Sequence, residues 1–146
     1  MLGRKNYTQE EIDQGKAALD QHLAAYRRLA TALAGTPADK KVGSALESFE
    51  AVFFNNLTLV LDHYFVHRLS GKDYEGKDGN PLNEVRVLCD SLISNDGKLR
   101  ADNQINLASE KSVLKLHLGD PIRLTEADFK RLSTAFFAEL QRRFGP

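Results

Sequence analysis

The sequence predicts a mainly α fold, an antiparallel four-helix bundle with a short β-hairpin inserted before the last helix. Three observations lead there. Capping signatures stand at Thr8–Glu11, Thr36–Asp39, Asn80–Pro81 and Thr125–Asp128, each supplying a side-chain acceptor or a proline where a helix begins. Between them, apolar residues recur every three or four positions, the spacing of a helix with one buried face. Only between Lys98 and Leu124 does that spacing give way to alternation, which suits strands.

Taken in order, Thr8 and Glu11 can satisfy the first free amides of a helix over about 8–34. Ile12, Leu19, Leu23, Tyr26, Ala30 and Leu33 fall on one narrow arc of it, and Gly35 ends it. Thr36, Pro37 and Asp39 open the next helix at once, as N-cap, first-turn proline and dipole partner, so the two form a tight hairpin. The second helix is expected over about 37–69, with Ser70–Gly71 as its stop, and would be about 50 Å long if unbroken. A turn-rich loop, Lys72–Asn80, leads into a shorter third helix over about 81–95, with Leu82, Val85, Leu88 and Leu92 inside. Val113, Leu114, Leu116 and Leu118 then read as part of a β-hairpin over about 112–124, turned at Gly119–Pro121, with Ile105–Leu107 as a third short strand. Such a hairpin is marginal alone and must lean on helices. The last helix, about 126–144, keeps Phe129, Leu132, Phe136, Leu140 and Phe144 on one side. A single domain accounts for all 146 residues.

Composition narrows the function classes. Apolar residues make up 42% and charged residues 27%, the mix of a globular chain. Twenty basic residues balance twenty acidic ones, which removes the global pull on phosphate backbones that marks dedicated nucleic-acid binders. Arg27–Arg28, Lys40–Lys41 and Arg142–Arg143 remain as local basic clusters. The single cysteine, Cys89, excludes an intrachain disulfide and a cysteine-rich zinc module, and a reducing interior suits it. The first residues lack an apolar signal segment, and no run approaches the ~20 apolar residues of a membrane span. A cytoplasmic, bacterial protein with no membrane partner is expected.

The second helix carries the most information. Val42, Leu46, Phe49, Phe53, Leu57, Val60 and Tyr64 lie within an arc of about 80°, the expected core face. A strip around Asn55, Thr58, Asp62 and Leu69 is left for water. Phe54, Leu61 and Phe65 form a further apolar shoulder, more than three partner helices can cover. They are the candidate interface of a homodimer. On the other shoulder stand His63 and His67, four residues apart, with Asp62 pointing nearly the opposite way. Two imidazoles at that spacing can grip one metal ion. Glu84, at the start of the third helix, is the one carboxylate that the hairpin geometry brings near. His63, His67 and Glu84 are therefore the candidate metal site, and no other cofactor is expected. The structural alternative is that the imidazoles fasten helix ends through hydrogen bonds.

Other chemistry finds little footing. GxSxG, Walker A and GxGxxG motifs are missing from the sequence. Lys72–Asn80 fails the register of a calcium loop, since Lys77 and Asp78 occupy its fifth and sixth positions. Cys89 reads as a buried, inert thiol, and no residue is singled out as catalytic. The layout of long antiparallel helices resembles the HEPN group, many of whose members are toxin ribonucleases or parts of defence systems. Their arginine followed four to six residues later by histidine is missing; His67–Arg68–Leu69 has the order reversed. The first functional expectation is a non-catalytic protein acting through protein–protein interaction as a homodimer. The alternatives are a metal-dependent enzyme using His63, His67 and Glu84, and a nucleic-acid-associated toxin–antitoxin or defence component.

Overall fold

The capping signatures at Thr8–Glu11, Asn80–Pro81 and Thr125–Asp128 act where the sequence places them, while at the start of the second helix Asp39, expected as dipole partner, serves as the N-cap. In the computed structural model, which describes residues 6–35, 39–68, 78–102 and 105–146, α1 (Gln9–Ala34) opens on a full capping box. The Glu11 amide donates to Thr8 Oγ1 at 3.1 Å, and the Thr8 amide donates to Glu11 Oε2 at 2.8 Å. Asp39 caps α2 (Lys40–Tyr64) by accepting from the Lys41 amide at 2.8 Å; Thr36 and Pro37 lie outside the described residues. Asn80 caps α3 (Pro81–Ser94), and Thr125 with Asp128 forms the capping box of α4 (Glu126–Phe144). The described residues thus form the helical bundle expected, with four α-helices. The exception is the end of α2, which stops at Tyr64 and gives way to one 3₁₀ turn, Val66–Arg68.

Helix α2 runs through the middle of the bundle. Phe54, Leu57, Leu61 and Phe65 are buried along it. At one end the Phe54 ring meets Phe129 of α4 at 5.6 Å and Tyr26 of α1 at 4.8 Å. At the other, Phe65 meets Tyr7, Phe136 and Phe137. On the α3 side, Cys89 Sγ donates to the Thr58 carbonyl at 3.4 Å.

That placement rotates the helix away from the expected orientation. Thr58, assigned to water, is fully buried and donates to the Phe54 carbonyl at 3.0 Å. Asn55, from the same strip, donates to the Ile122 carbonyl and accepts from the Leu124 amide. Asp62 is only partly exposed. Phe49 and Val52 are instead exposed, at 42% and 60%. Asn55 turns inward because it satisfies backbone groups of the segment that crosses α2, and Thr58 can be buried because its hydroxyl bonds the carbonyl one turn back on its own helix. A wheel that counts apolar residues cannot register that.

The far end of the α1–α2 pair projects from the body. Arg27 Nε donates to Glu126 Oε1 at 2.7 Å, and the Glu126 amide donates to Glu50 Oε1 at 2.8 Å, so α4 begins level with Arg27 and Glu50. Beyond that level α1 continues for about 10 Å and α2 for about 15 Å. Among the described residues from Arg27 to Phe53, no side chain is fully buried.

The β-hairpin over 112–124 does not form; the described residues show isolated bridges, Lys98 with Pro121 and Asp78 with Asn106. The segment takes its partners elsewhere. The Leu99 amide donates to the Asp120 carbonyl, the Gly119 amide to Leu99 and the Ile122 amide to Gly97. Lys115 has a positive φ of 57°, which interrupts any strand, and its amide donates to Ser112 Oγ at 2.8 Å. Ile105–Leu107 likewise contributes a single bridge at Asn106 rather than a strand. Alternating apolar residues here peg an irregular segment to the helices.

Close approach of α1 to the end of α2 depends on Gly15. A Cβ at this position would overlap the Phe65 ring, reaching within 2.7 Å of Cε2. Gly15→Ala is expected to destabilise the protein by about 1–3 kcal/mol, the usual range for overpacking. Denaturant unfolding of the single and double variants checks this. The penalty must shrink in a Phe65→Leu background, and equal penalties in both backgrounds would show that the ring is not the obstacle.

Candidate functional site

The histidine pair sits where α2 ends. The Phe65 amide still closes on the Leu61 carbonyl at 3.2 Å, but Phe65 itself leaves helical geometry with φ −123° and ψ −60°. Its carbonyl, which would have continued the helix, accepts from the Tyr7 hydroxyl at 2.7 Å. Val66 is then buried, while His67 and Arg68 are exposed. The His63 and His67 rings stack loosely, with centroids 6.5 Å apart and planes inclined by 21°.

Asp62 is not isolated from these histidines as a straight helix would require. Burial pushes its carboxyl pKa up, and the charges of His67, Arg86 and His63 oppose that shift. Ending the helix after Tyr64 moved His67 off the azimuth computed for an unbroken one.

Glu84 does something different from what its candidate role required. It is 1% exposed. Its Oε1 accepts from the Val113 amide at 2.7 Å and its Oε2 from the Leu114 amide at 3.0 Å. Both oxygens thereby fasten the irregular segment to the first turn of α3. Among the described residues no group of three or more His, Cys, Asp or Glu side chains is placed to hold a metal ion. His63, His67 and Glu84 are therefore not brought together as a site.

The expected interface fails for a simpler reason. Phe54, Leu61 and Phe65 are 0%, 0% and 4% exposed, inside the chain's own core, and do not face a partner. This part of α2 is covered by α1, α3 and α4 together with the segment at Ile122–Leu124.

Other chemistry-bearing groups are equally committed. The Cys89 thiol is buried, and burial, then the charge of Asp62, pushes its pKa far up, the opposite of an activated thiolate. Arg142 and Arg143 both donate to Glu139. Burial raises the Glu139 pKa, but those two arginines outweigh it and leave the group below its ordinary value. Arg27 is paired with Glu126. Two of the three basic clusters thus hold internal carboxylates.

Two features escaped the reading of the sequence. The double-amide staple of Glu84 has no local signature, because Val113 and Leu114 are distant in the chain. Tyr7 did leave a signal: it precedes the N-cap and Ile12 follows at the fourth helical position, the pattern of a hydrophobic staple. Both are buried.

No described helix is long and apolar enough to cross a membrane. The chain matches no known family model, no curated protein and no solved structure at a significant level.

The buried carboxylate of Glu84 makes a pH prediction. Burial raises its pKa above the ordinary 4.5, and the amide bonds from Val113 and Leu114 only partly offset this. A carboxyl whose folded pKa is raised gives its full contribution when protonated and loses it as pH rises through the folded value. Relative to Glu84→Gln, which cannot ionise, the wild-type protein is expected to lose stability from about pH 4.5 upward. Urea unfolding at several pH values measures the difference; a difference independent of pH would refute the assignment.

Proposed function

We infer that this chain is a non-catalytic protein, working in the cytoplasm through protein–protein association, and that its partner is a second copy of itself. The observation that carries this reading is the exposure of large apolar side chains where the projecting arm leaves the body: Leu29 at 42%, Phe49 at 42% and Val52 at 60%. These belong together. Phe49 stacks on Tyr26 at 6.5 Å; Val52 lies one turn from Phe49 on the same helix toward the body, and Leu29 one turn from Tyr26 toward the tip of the arm. A stable contact needs about 800 Å² from each partner, so the flanking arm would lie within it. The order of the contacts between α1 and α2, Tyr7 against Phe65 and Tyr26 against Phe49, supports the antiparallel packing that such a two-helix arm requires.

Buried Cys89, stapled Glu84 and exposed, loosely stacked His63 and His67 offer no matched acid, base or nucleophile, which is why the catalytic and metal alternatives rank lower. The nucleic-acid alternative ranks lower because Arg27, Arg142 and Arg143 already hold carboxylates.

Sedimentation velocity at micromolar concentration is expected to show a dimer. Replacing both Phe49 and Val52 with Asp should weaken it by at least about thirtyfold, the effect of losing one contact hot spot. A strict monomer across the concentration range would overturn this reading.

A further inference from the structure

On the body of the bundle, away from the arm, a cavity of about 370 Å³ lies between α1 and the end of α2. That is within the size range of small-molecule sites, at the low end. Its floor is apolar and low for a definite reason: α1 presents Gly15 and Ala18 here, so Leu61 and the Phe65 ring form the base. Polar side chains line it at Glu11, His22 and Arg68.

These groups differ in their commitments. Glu11 accepts from the Thr8 amide at 2.8 Å as part of the α1 capping box. His22 Nδ1 lies 2.7 Å from the Ala18 carbonyl, which fixes the ring against its own helix. Arg68 has one long contact, from Nη1 to the Tyr64 carbonyl at 3.5 Å, and no ion pair among the described residues. Arg27, Arg100, Arg131, Arg142 and Arg143 each pair with a carboxylate. Arg68 is thus an exposed guanidinium beside an apolar trough, with no carboxylate partner among the described residues.

We propose that this trough binds a small amphipathic monocarboxylate, a medium-chain acyl or arylalkyl acid. The hydrocarbon lies over Ala18, Leu61 and Phe65, and the carboxylate meets the guanidinium of Arg68. The apolar floor supplies affinity through water release. The planar fork of the arginine supplies the preference for a carboxylate over a hydroxyl.

The test uses the full chain, with octanoate and octanol as probes. Calorimetric titration below the micellar concentration is expected to give one saturable site for octanoate, binding about tenfold more tightly than octanol, a difference of about 1.4 kcal/mol. Arg68→Gln, an exposed change that leaves the core alone, should erase that preference while octanol binding persists. Ala18→Leu, which fills the trough from its open side, should abolish binding of both; its far-ultraviolet dichroism and unfolding midpoint confirm that it folds. Amide shifts on octanoate addition should centre on Gly15 and Ala18. No saturable binding at millimolar octanoate overturns the proposal, as does an octanoate affinity unchanged in both variants. Equal octanoate and octanol affinities in the wild-type protein overturn the role of Arg68.

Discussion

The carbonyl of Phe65, held by the hydroxyl of Tyr7 at 2.7 Å, and the ring of Phe65, seated over Gly15, together decide how α2 ends and what surrounds it. Continuing the helix would add about one net hydrogen bond of roughly 1 kcal/mol per residue. Burying a phenylalanine side chain contributes about 1.5–3 kcal/mol, and each good aromatic contact about 0.5–1.5 more. Phe65 has such contacts with Tyr7 and Phe137, at 5.3 and 5.5 Å. The tertiary gain therefore outweighs propagation, and the chain turns inward. Val66 follows into the core, and His67 and Arg68 are left outside. The Tyr7 amide also donates to the carbonyl of Phe144 at 2.8 Å, so the start of α1, the end of α2 and the end of α4 are tied at one place.

A second constraint comes from the irregular stretch between α3 and α4. Without a sheet, its amides need other acceptors, because a buried and unsatisfied N–H costs about 1–3 kcal/mol. The helices provide them. Glu84 takes the Val113 and Leu114 amides, Ser91 takes that of Arg100 at 3.1 Å, and Asn55 takes that of Leu124. Polar residues inside this bundle thus act as moulds for backbone. That explains why a helix as apolar as α2 keeps Asn55 on its inner side.

The base of the projecting arm is locked by a run of polar contacts through three helices. Arg27 grips Glu126, the Glu126 amide reaches Glu50, and Glu50 bonds the Tyr26 hydroxyl. Burial, then the charge of Glu50, pushes the pKa of that tyrosine up to about 12. It therefore remains a donor throughout the physiological range. Rigidity at the base would serve the proposed self-association, since ordering a surface beforehand lowers the entropic cost of association.

What the sequence by itself determined was local. Thr8–Glu11, Asn80–Pro81 and Thr125–Asp128 set helix starts, and three- and four-residue apolar spacing set helix identity, because caps and periodicity act between residues within one turn. Which face of α2 is buried was decided only by tertiary structure. An apolar count on a wheel does not settle it, and the choice turned on Asn55 meeting backbone from a distant segment. The same holds for Glu84, whose partners lie about thirty residues away, and for the stop at Tyr64, set by a hydroxyl at Tyr7. Alternation over 112–118 misled for the reverse reason: it records which side chains point inward, while strand pairing requires amides left free for a neighbouring strand, and here side chains had already taken them.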